Sequence, residues 1–462
     1  MTLAIVQSGV SRRAALGVMG VGALAWSAWP RRSRELAGVP RGRKVLHYWE
    51  KWTGAEGLAL QGVIDAFNQS QEKLWVIRVP ISDISSKAMV AVGGGDGPDV
   101  CGLFSYSVPL YAEAGAAMPL DSFPQEDWCG EAGYLPNVWK LLTHEGRPWA
   151  GVNTCYTLGL YVNRTHMREA GLGGTDADVP PRTIGELDAA AEKLTRTVSS
   201  GAIARAGFLP NLPLWWPYSW GVLFDGRLYD RATNTAMADD PGNIRAMEWI
   251  ATFPKRFGRE AAGAFAQTFS RSTHSPQDPF ISGRASMIVQ GPWLANFIRL
   301  HNPSLDYAVA PVPLADGLAE PSLPRGLVEA DVIIIPSGCK DPEASWEFVR
   351  FMQRRTTQEQ LALAHCKSSP MAEVSAEFAG AHPSRYVGVF DAIARSPRSD
   401  SLPPTRVWPQ YADMLGGAFD TVWRGGDPAS ALRDVQVRAQ RLIDQATELR
   451  GRRRAGNGRG DA

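Results

Sequence analysis

From Lys44 onward the apolar positions alternate between two periods. Val45–Trp49 is a short apolar run of strand type, and Gly57–Gln71 brings Leu60, Val63, Ile64 and Phe67 to one face at helical spacing. Leu74–Val79 reads as a second strand and Ser85–Val92 as a second helix, closed by Gly93-Gly94-Gly95. A third strand begins at Pro98-Asp99-Val100, and a short helix covers Tyr111–Ala114. This strand–helix–strand rhythm predicts an α/β fold with a parallel, doubly wound sheet, since parallel neighbours need a crossover connection. Such sheets hold ligands beyond the carboxyl ends of their strands. Trp49, Glu50 and Trp52 fall at the first such end, where a partly solvated loop with an anchoring tryptophan is the competing reading. Phe104, Ser105 and Tyr106 follow the third strand. Asp96 and Asp99 read as turn holders, because aspartate caps local backbone readily.

A second informative stretch runs from Phe280 to Trp293. A short element ends at Gly283, small residues Ala285 and Ser286 follow, and Met287-Ile288-Val289 forms an apolar strand stopped by Gly291-Pro292. The turn delivers Trp293, whose flat face suits stacking on a sugar ring; a core tryptophan is the plainer alternative. Asn211 to Trp220 sets Trp215, Trp216 and Trp220 within six residues. On extended backbone Trp215 and Trp216 point opposite ways, one to the core and one outward.

A chain of 462 residues exceeds what one core serves, so more than one lobe is expected. Its 44% hydrophobic and 21% charged residues describe a globular protein. Sixteen tryptophans equal the phenylalanines and outnumber eleven tyrosines, a bias useful to a protein that stacks on rings. The net charge of +1 conceals an uneven distribution: without residues 1–43 and 450–462 there remain 36 basic and 45 acidic residues, a body of about −9. No basic face suggests nucleic acid, and the Arg-rich end reads as a solvated tail. Five cysteines (Cys101, Cys129, Cys155, Cys339, Cys366) lack C-x-x-C spacing, and the seven histidines lack metal spacing, so neither zinc nor another cofactor is expected.

The N-terminus carries Ser11-Arg12-Arg13 and then sixteen uncharged residues from Ala14 to Trp29. That is short for a membrane span of about 20 residues but suits an export signal. The arginine pair resembles a twin-arginine signal, with Leu16 fitting and Ala15 departing from the pattern. Ala23-Leu24-Ala25 offers a cleavage site, an uncleaved anchor being the alternative. No cysteine lies nearby to take a lipid. A periplasmic location follows.

Several motifs together resemble the extracytoplasmic solute-binding proteins of ABC importers, carbohydrate-binding type. They are Phe280-x-x-Gly283-Arg284-Ala285-Ser286-Met287 with Gly291-Pro292-Trp293, and the GGGDGPDV segment leading to Gly115 and Pro119-Leu120. Gly159–Asn163 with Glu169-Ala170-Gly171-Leu172 resembles the crossing into a second lobe. Thr183 with Glu186 then forms a capping box. Asp331–Pro336 resembles the strand returning to that lobe, Pro342–Phe348 the helix after it, and Gly425–Leu432 the closing helix pair. The resemblance spans about 44–445 and implies two doubly wound α/β lobes joined by a hinge crossed more than once, the type II arrangement of periplasmic binding proteins. Lobe one is expected over 44–153 plus 309–333, lobe two over 156–308 plus 336–449, and a disordered tail over 450–462. A monomer is expected, with the importer's membrane subunits as partners. A sugar would be held between the lobes by hinge closure.

The expected sugar-contacting residues are Trp49, Glu50, Trp52, Tyr106, Asn153, Tyr156, Trp215, Trp216, Trp220, Trp293, Arg325 and Trp408, with Tyr411 beside the last. Trp293→Ala is expected to weaken binding with little loss of fold. Two other functions stay open. One is binding of another solute, such as a polyamine or a glycerol-phosphate. The other is a glycosidase, for which Glu50 with Asp96, or Asp225 with Asp331, are conceivable carboxylate pairs that no motif selects.

Overall fold

The computed structural model describes residues 38–125, 130–172, 180–213, 216–318, 320 and 323–457. The expected export segment, Cys129 and Trp215 lie outside them. In chain order, β1 (Lys44–Glu50), α1 (Gly54–Ser70), β2 (Leu74–Pro80), α2 (Ile84–Gly93) and β3 (Val100–Phe104) open the first lobe. Then come β4 (Gly151–Tyr156), β5 (Gly159–Asn163), α3 (Ile184–Leu194), α4 (Pro241–Ile250), β6 (Met287–Gln290), α5 (Leu294–His301) and β7 (Tyr307–Pro311). The chain continues through β8 (Leu327–Ile334), α6 (Pro342–Met352), α7 (Arg355–His365), β9 (Asp400–Ser401), α8 (Trp408–Trp423) and α9 (Pro428–Asn457).

The first sheet runs β2-β1-β3-β8-β4, parallel from β2 to β3, with β8 antiparallel to both β3 and β4. The second runs β6-β5-β7, with β5 antiparallel to both neighbours. In each lobe the antiparallel strand is the one that has just crossed from the other lobe. Only residues 157–158 separate β4 from β5, a link too short for a parallel crossover.

The helices form for the reason their patterns suggest. α1 buries Leu60, Val63, Ile64 and Phe67 along one face, each contributing about 1.5–3 kcal/mol. At α3, Thr183 Oγ1 accepts from the Glu186 amide at 3.2 Å, while Glu186 Oε2 accepts from the Arg182 amide at 2.7 Å, one residue earlier than a strict capping box.

The expected lobe boundaries need three corrections. Residues 309–311 stay in the second sheet, because β7 pairs with β5 through Pro311↔Gly159. β8 belongs to the first sheet, and the helices after it pack on the first lobe: Trp346, Phe348, Val349 and Met352 of α6 and Leu361 of α7 join Leu46, Tyr48, Leu60 and Phe67 in one core. The Phe348 ring meets Tyr48 at 5.5 Å and Phe67 at 5.1 Å. The chain is still held to lobe one at Ala372, whose amide donates to Gly133 O at 2.9 Å. It reaches lobe two as α8 and α9, which pack on α4. Finally, the expected tail is helical as far as Asn457, with Arg450 ion-paired to Glu145 at 2.7 Å and Arg452 to Glu448, one turn back, at 3.9 Å. Cys101, Cys155, Cys339 and Cys366 are free thiols.

Candidate functional site

The end of β1 carries the first part of the site. Leu46, Tyr48 and Glu50 share one face by strand alternation, and Glu50 is wholly buried. The Tyr48 hydroxyl donates to Glu50 Oε2 at 2.6 Å, and Asn153 Nδ2 donates to Tyr48 Oη at 2.8 Å and to Glu50 Oε2 at 3.2 Å. Gly102 on the adjacent strand makes room, since a Cβ there would lie 1.8 Å from Glu50 Oε2. A buried carboxylate requires such partners.

From Glu50 a row of alternating charges crosses the floor. Lys51 Nζ lies 3.1 Å from Glu50 Oε1 and 3.1 Å from Asp331 Oδ1. Lys367 Nζ lies 3.1 Å from Asp331 Oδ2 and 3.3 Å from Thr154 Oγ1, and the Thr154 hydroxyl donates to the same carboxylate oxygen at 2.7 Å. Burial alone would raise the Asp331 pKa, but Lys367 and Lys51 hold it far below the carboxylate range. Burial likewise disfavours the Lys51 ammonium, and Asp331 and Glu50 more than offset that, raising its pKa.

Two residues back along β8, on the same face, Glu329 accepts the Tyr156 hydroxyl at 2.9 Å and the Tyr218 hydroxyl at 3.1 Å. Its pKa stands at about 7: burial raises it, the two tyrosine bonds lower it, and the Asp331 charge raises it again. Tyr218 belongs to lobe two, so Glu329 ties the lobes together at the hinge.

Aromatic faces surround the ammonium groups. Lys51 Nζ lies 4.8 Å from the Trp52 ring and 4.6 Å from Phe104, and Phe104 stacks on Tyr106 at 5.3 Å. Lys367 Nζ lies 5.1 Å from Trp52, 5.6 Å from Tyr156 and 5.4 Å from Trp293, within cation–π range of all three. Trp52 comes from lobe one and Trp293 from lobe two.

Trp293 stands at the N-terminus of α5, and its indole folds back over Gly291; a Cβ at that glycine would sit 2.2 Å from the ring. Its Nε1 donates to His274 Nε2 at 3.0 Å. Accepting that proton requires a neutral imidazole. Burial and the Lys367 charge lower the His274 pKa to about 4, which supplies it. Trp293 also meets Tyr156 edge-on at 5.0 Å and Trp216 at 6.1 Å. At 8% exposure it is a packed wall, so Trp293→Ala would cost fold stability as well as any ligand contact, contrary to the sequence expectation.

Of the twelve expected residues, Glu50, Trp52, Tyr106, Tyr156, Trp216 and Trp293 gather around this floor. Asn153 lies behind Glu50 as its support. Trp408 is 2% exposed and backs the site through Tyr218, edge-on at 5.1 Å, with Tyr411 behind it at 5.5 Å. Three expectations are corrected. Trp49 sits on the strand face opposite Glu50, because adjacent residues alternate. Trp220 is core, packed on Phe208 and Trp249 at 6.0 and 5.5 Å. Arg325 pairs with Asp225 and donates to Gly226 O at 3.4 Å, in the hinge segment.

Neither conceivable catalytic pair assembles. Asp225 is held by Arg325, and Asp331 by two lysines. Asp96 is exposed while Glu50 is buried. Asp99, expected to hold a local turn, instead bonds to β1, accepting the His47 amide at 2.8 Å across 52 residues. Among the described residues no group of histidine, cysteine or carboxylate side chains is arranged to hold a metal ion. Lys51, Glu329 and Lys367 were missed in the sequence. Lys51 stands between two flagged residues; Lys367 carried no local signal, its Thr154 partner lying 213 positions away.

Residues 51–359 match the model of the family described as bacterial extracellular solute-binding protein. A maltotriose-binding protein of Pyrococcus abyssi is 25% identical over 287 residues, which are 61% of this chain and 56% of that protein. Among solved structures, CpMnBP1 with mannobiose bound superposes with a TM-score of 0.75 at 22% identity, covering 85% of this chain and 98% of that one. The sugar-binding protein MalE from Xanthomonas citri superposes at 0.70 and 17% identity, covering 88% and 99%. No helix among the described residues is long and apolar enough to cross a membrane. With two thirds of its length matched by the family model, and a two-lobed fold to agree, the chain belongs to the bacterial extracellular solute-binding proteins.

Proposed function

We propose that this chain binds a carbohydrate between its lobes, closes on it and delivers it to an ABC importer from the periplasm, working as a monomer exported by the twin-arginine route. The observation that carries the reading is the convergence of Trp52, Tyr156 and Trp293 on the Glu50–Lys51–Asp331–Lys367 row. Sugars present flat C–H faces that aromatic rings bury, and a rim of hydroxyls that both donate to carboxylates and accept from ammonium groups. The row offers both roles at the foot of the aromatic walls. Trp52, Tyr156, Trp216 and Trp293 are the proposed stacking faces, with Tyr106 and Lys51 beside them. Because the walls come from both lobes, a ligand touching them favours the closed form. The printed ligands of the related proteins, maltotriose and mannobiose, support the same class.

A second reading has its own observation. The Lys367 ammonium already rests against three aromatic faces, so a polyamine could take the same place. A glycosidase reading has less to stand on, since Glu329 and Asp331 extend from one face of one strand and cannot flank a bond held between the lobes.

The test is a thermal-shift screen of mannobiose, maltotriose, simple hexoses, spermidine and glycerol 3-phosphate, followed by titration and product analysis. The expected result is a saturable shift with an oligosaccharide and no turnover, stabilising by about 2.7 kcal/mol at one hundred times Kd. Trp293→Phe, which keeps a packed ring, should weaken that ligand about five- to tenfold, the loss of about 1 kcal/mol of aromatic contact. A shift confined to spermidine or glycerol 3-phosphate, or the appearance of cleaved sugar, would overturn the reading.

A further inference from the structure

Away from the aromatic cleft, the lobes form an open-sided cavity of about 320 Å3 that shares no lining residue with it. Lobe one contributes Glu113 and the stretch from Lys140 to Glu145. Lobe two contributes the hairpin around Tyr229 and Arg231 together with the last turns of α9. The segment ending at Arg406 forms a further wall.

The charges in this cavity do not balance. Lys140, Arg231, Arg406 and Arg450 line it against two carboxylates, Glu113 and Glu145. Both carboxylates are engaged: Arg450 lies 2.7 Å from Glu145 and 3.9 Å from Glu113, and Arg406 lies 3.6 Å from Glu113. His144 Nε2 adds a further contact to Glu113 at 3.3 Å. Two cations have no carboxylate partner among the lining residues. Arg231 comes no nearer than 4.0 Å to Asp400 and gives its hydrogen bonds to neutral oxygens, Ser401 Oγ at 2.6 Å and Leu402 O at 3.4 Å. Lys140 donates to the neutral amide oxygen of Asn137 at 3.0 Å. Burial lowers the Arg231 pKa, and the Asp400 charge offsets that only in part. This surplus of positive charge stands out on a body whose net charge is negative.

We propose that this interlobe cavity is a second ligand site, selective for a small polar molecule bearing an oxyanion, a phosphate ester or a carboxylate. Arg231 is its principal anion-binding side chain, with Arg406, which shares Glu113 at 3.6 Å, beside it. Guanidinium groups suit such oxygens because their planar donors match them in pairs. The rest of the wall carries hydroxyl and amide groups from Thr143, Thr405, Tyr229 and Asn234, suited to a hydroxylated body. At about 30 Å3 per water, the volume admits roughly ten waters' worth of ligand, the scale of a monosaccharide phosphate. Because donors come from both lobes, occupancy also favours closure and is thereby linked to binding in the cleft.

The test is calorimetric titration of the full chain with inorganic phosphate, glucose 6-phosphate and glucose, each to about 10 mM at constant ionic strength. One-to-one binding of glucose 6-phosphate is expected, weakened at least tenfold by Arg231→Gln with Arg406→Gln and largely kept by the corresponding lysine variants. Melting of the unliganded variants checks that they fold. Tighter binding of glucose 6-phosphate than of phosphate supports a sugar-borne anion, and equal binding supports a free one. The proposal is overturned if neither anion binds, or if binding is unchanged in the glutamine variants. It also fails if Trp216→Ala in the cleft abolishes binding while the glutamine variants keep it.

Discussion

Asp331 is the point where the site is most exposed to a single change. Its carboxylate lies 3.1 Å from each of two ammonium groups and accepts Thr154 at 2.7 Å, with 3% of its side chain exposed. Asp331→Asn keeps the shape and removes the charge. Breaking a buried ion pair by removing one partner costs about 3–5 kcal/mol, because the other charge stays buried. Lys51 would keep Glu50 at 3.1 Å, and Lys367 would keep Glu56 at 3.7 Å, so the lower end, about 3 kcal/mol, is expected. Urea unfolding at pH 7 measures this as a fall in midpoint at constant m. Adding Lys367→Met removes one stranded ammonium and should restore about 1 kcal/mol or more, a coupling proper to neighbouring groups. The pH dependence has a definite sign. The folded pKa of Asp331 is depressed, so its stabilisation is full above the unfolded value of about 3.9 and is lost as pH falls below that. Wild type should therefore lose stability more steeply in acid than Asp331→Asn. A loss below about 1 kcal/mol at pH 7, with no rescue in the double variant, would refute the reasoning.

Two further predictions rest on the same floor. Glu329 has its pKa raised from 4.5 to about 7, so the folded state holds a proton that the unfolded state has released. Its contribution is full below about 4.5 and falls as pH rises to 7, by up to about 1.4 kcal/mol per unit. The stability difference between wild type and Glu329→Gln, followed by urea unfolding across that range, should fall accordingly; a flat difference would contradict the raised pKa. Gly291→Ala would drive a methyl carbon to within 2.2 Å of the Trp293 ring and force the indole off its seat. Sugar affinity should fall with it and tryptophan emission should change, whereas an unaltered spectrum and affinity would show that the ring does not need that glycine.

Local pattern made much of this legible. The burial of Leu60, Val63, Ile64 and Phe67 follows from spacing alone, and so does the placing of Glu50 and Trp52 at the carboxyl end of a strand. The Gly291-Pro292 turn fixed where Trp293 stands. Trp49 and Trp220 were misplaced for the same reason: composition marks a tryptophan as useful without saying which face of its element it occupies. The lobe assignment of α6 and α7 failed because both lobes offer apolar surface, and only the matching of Phe348 to Tyr48 and Phe67 selects one.

The sequence by itself determined the order of strands and helices, the two-lobed plan and the aromatic character of the site, because these rest on short-range periodicity and on motifs a few residues long. The tertiary structure alone decided the charges. Lys367 meets Thr154 across 213 residues and Asp331 across 36, and Glu329 meets Tyr218 across 111. Nothing in the local pattern of any of these residues announces a partner. A buried charge persists only where its opposite is brought within about 4 Å, and which charges meet at that distance is settled by how the lobes pack.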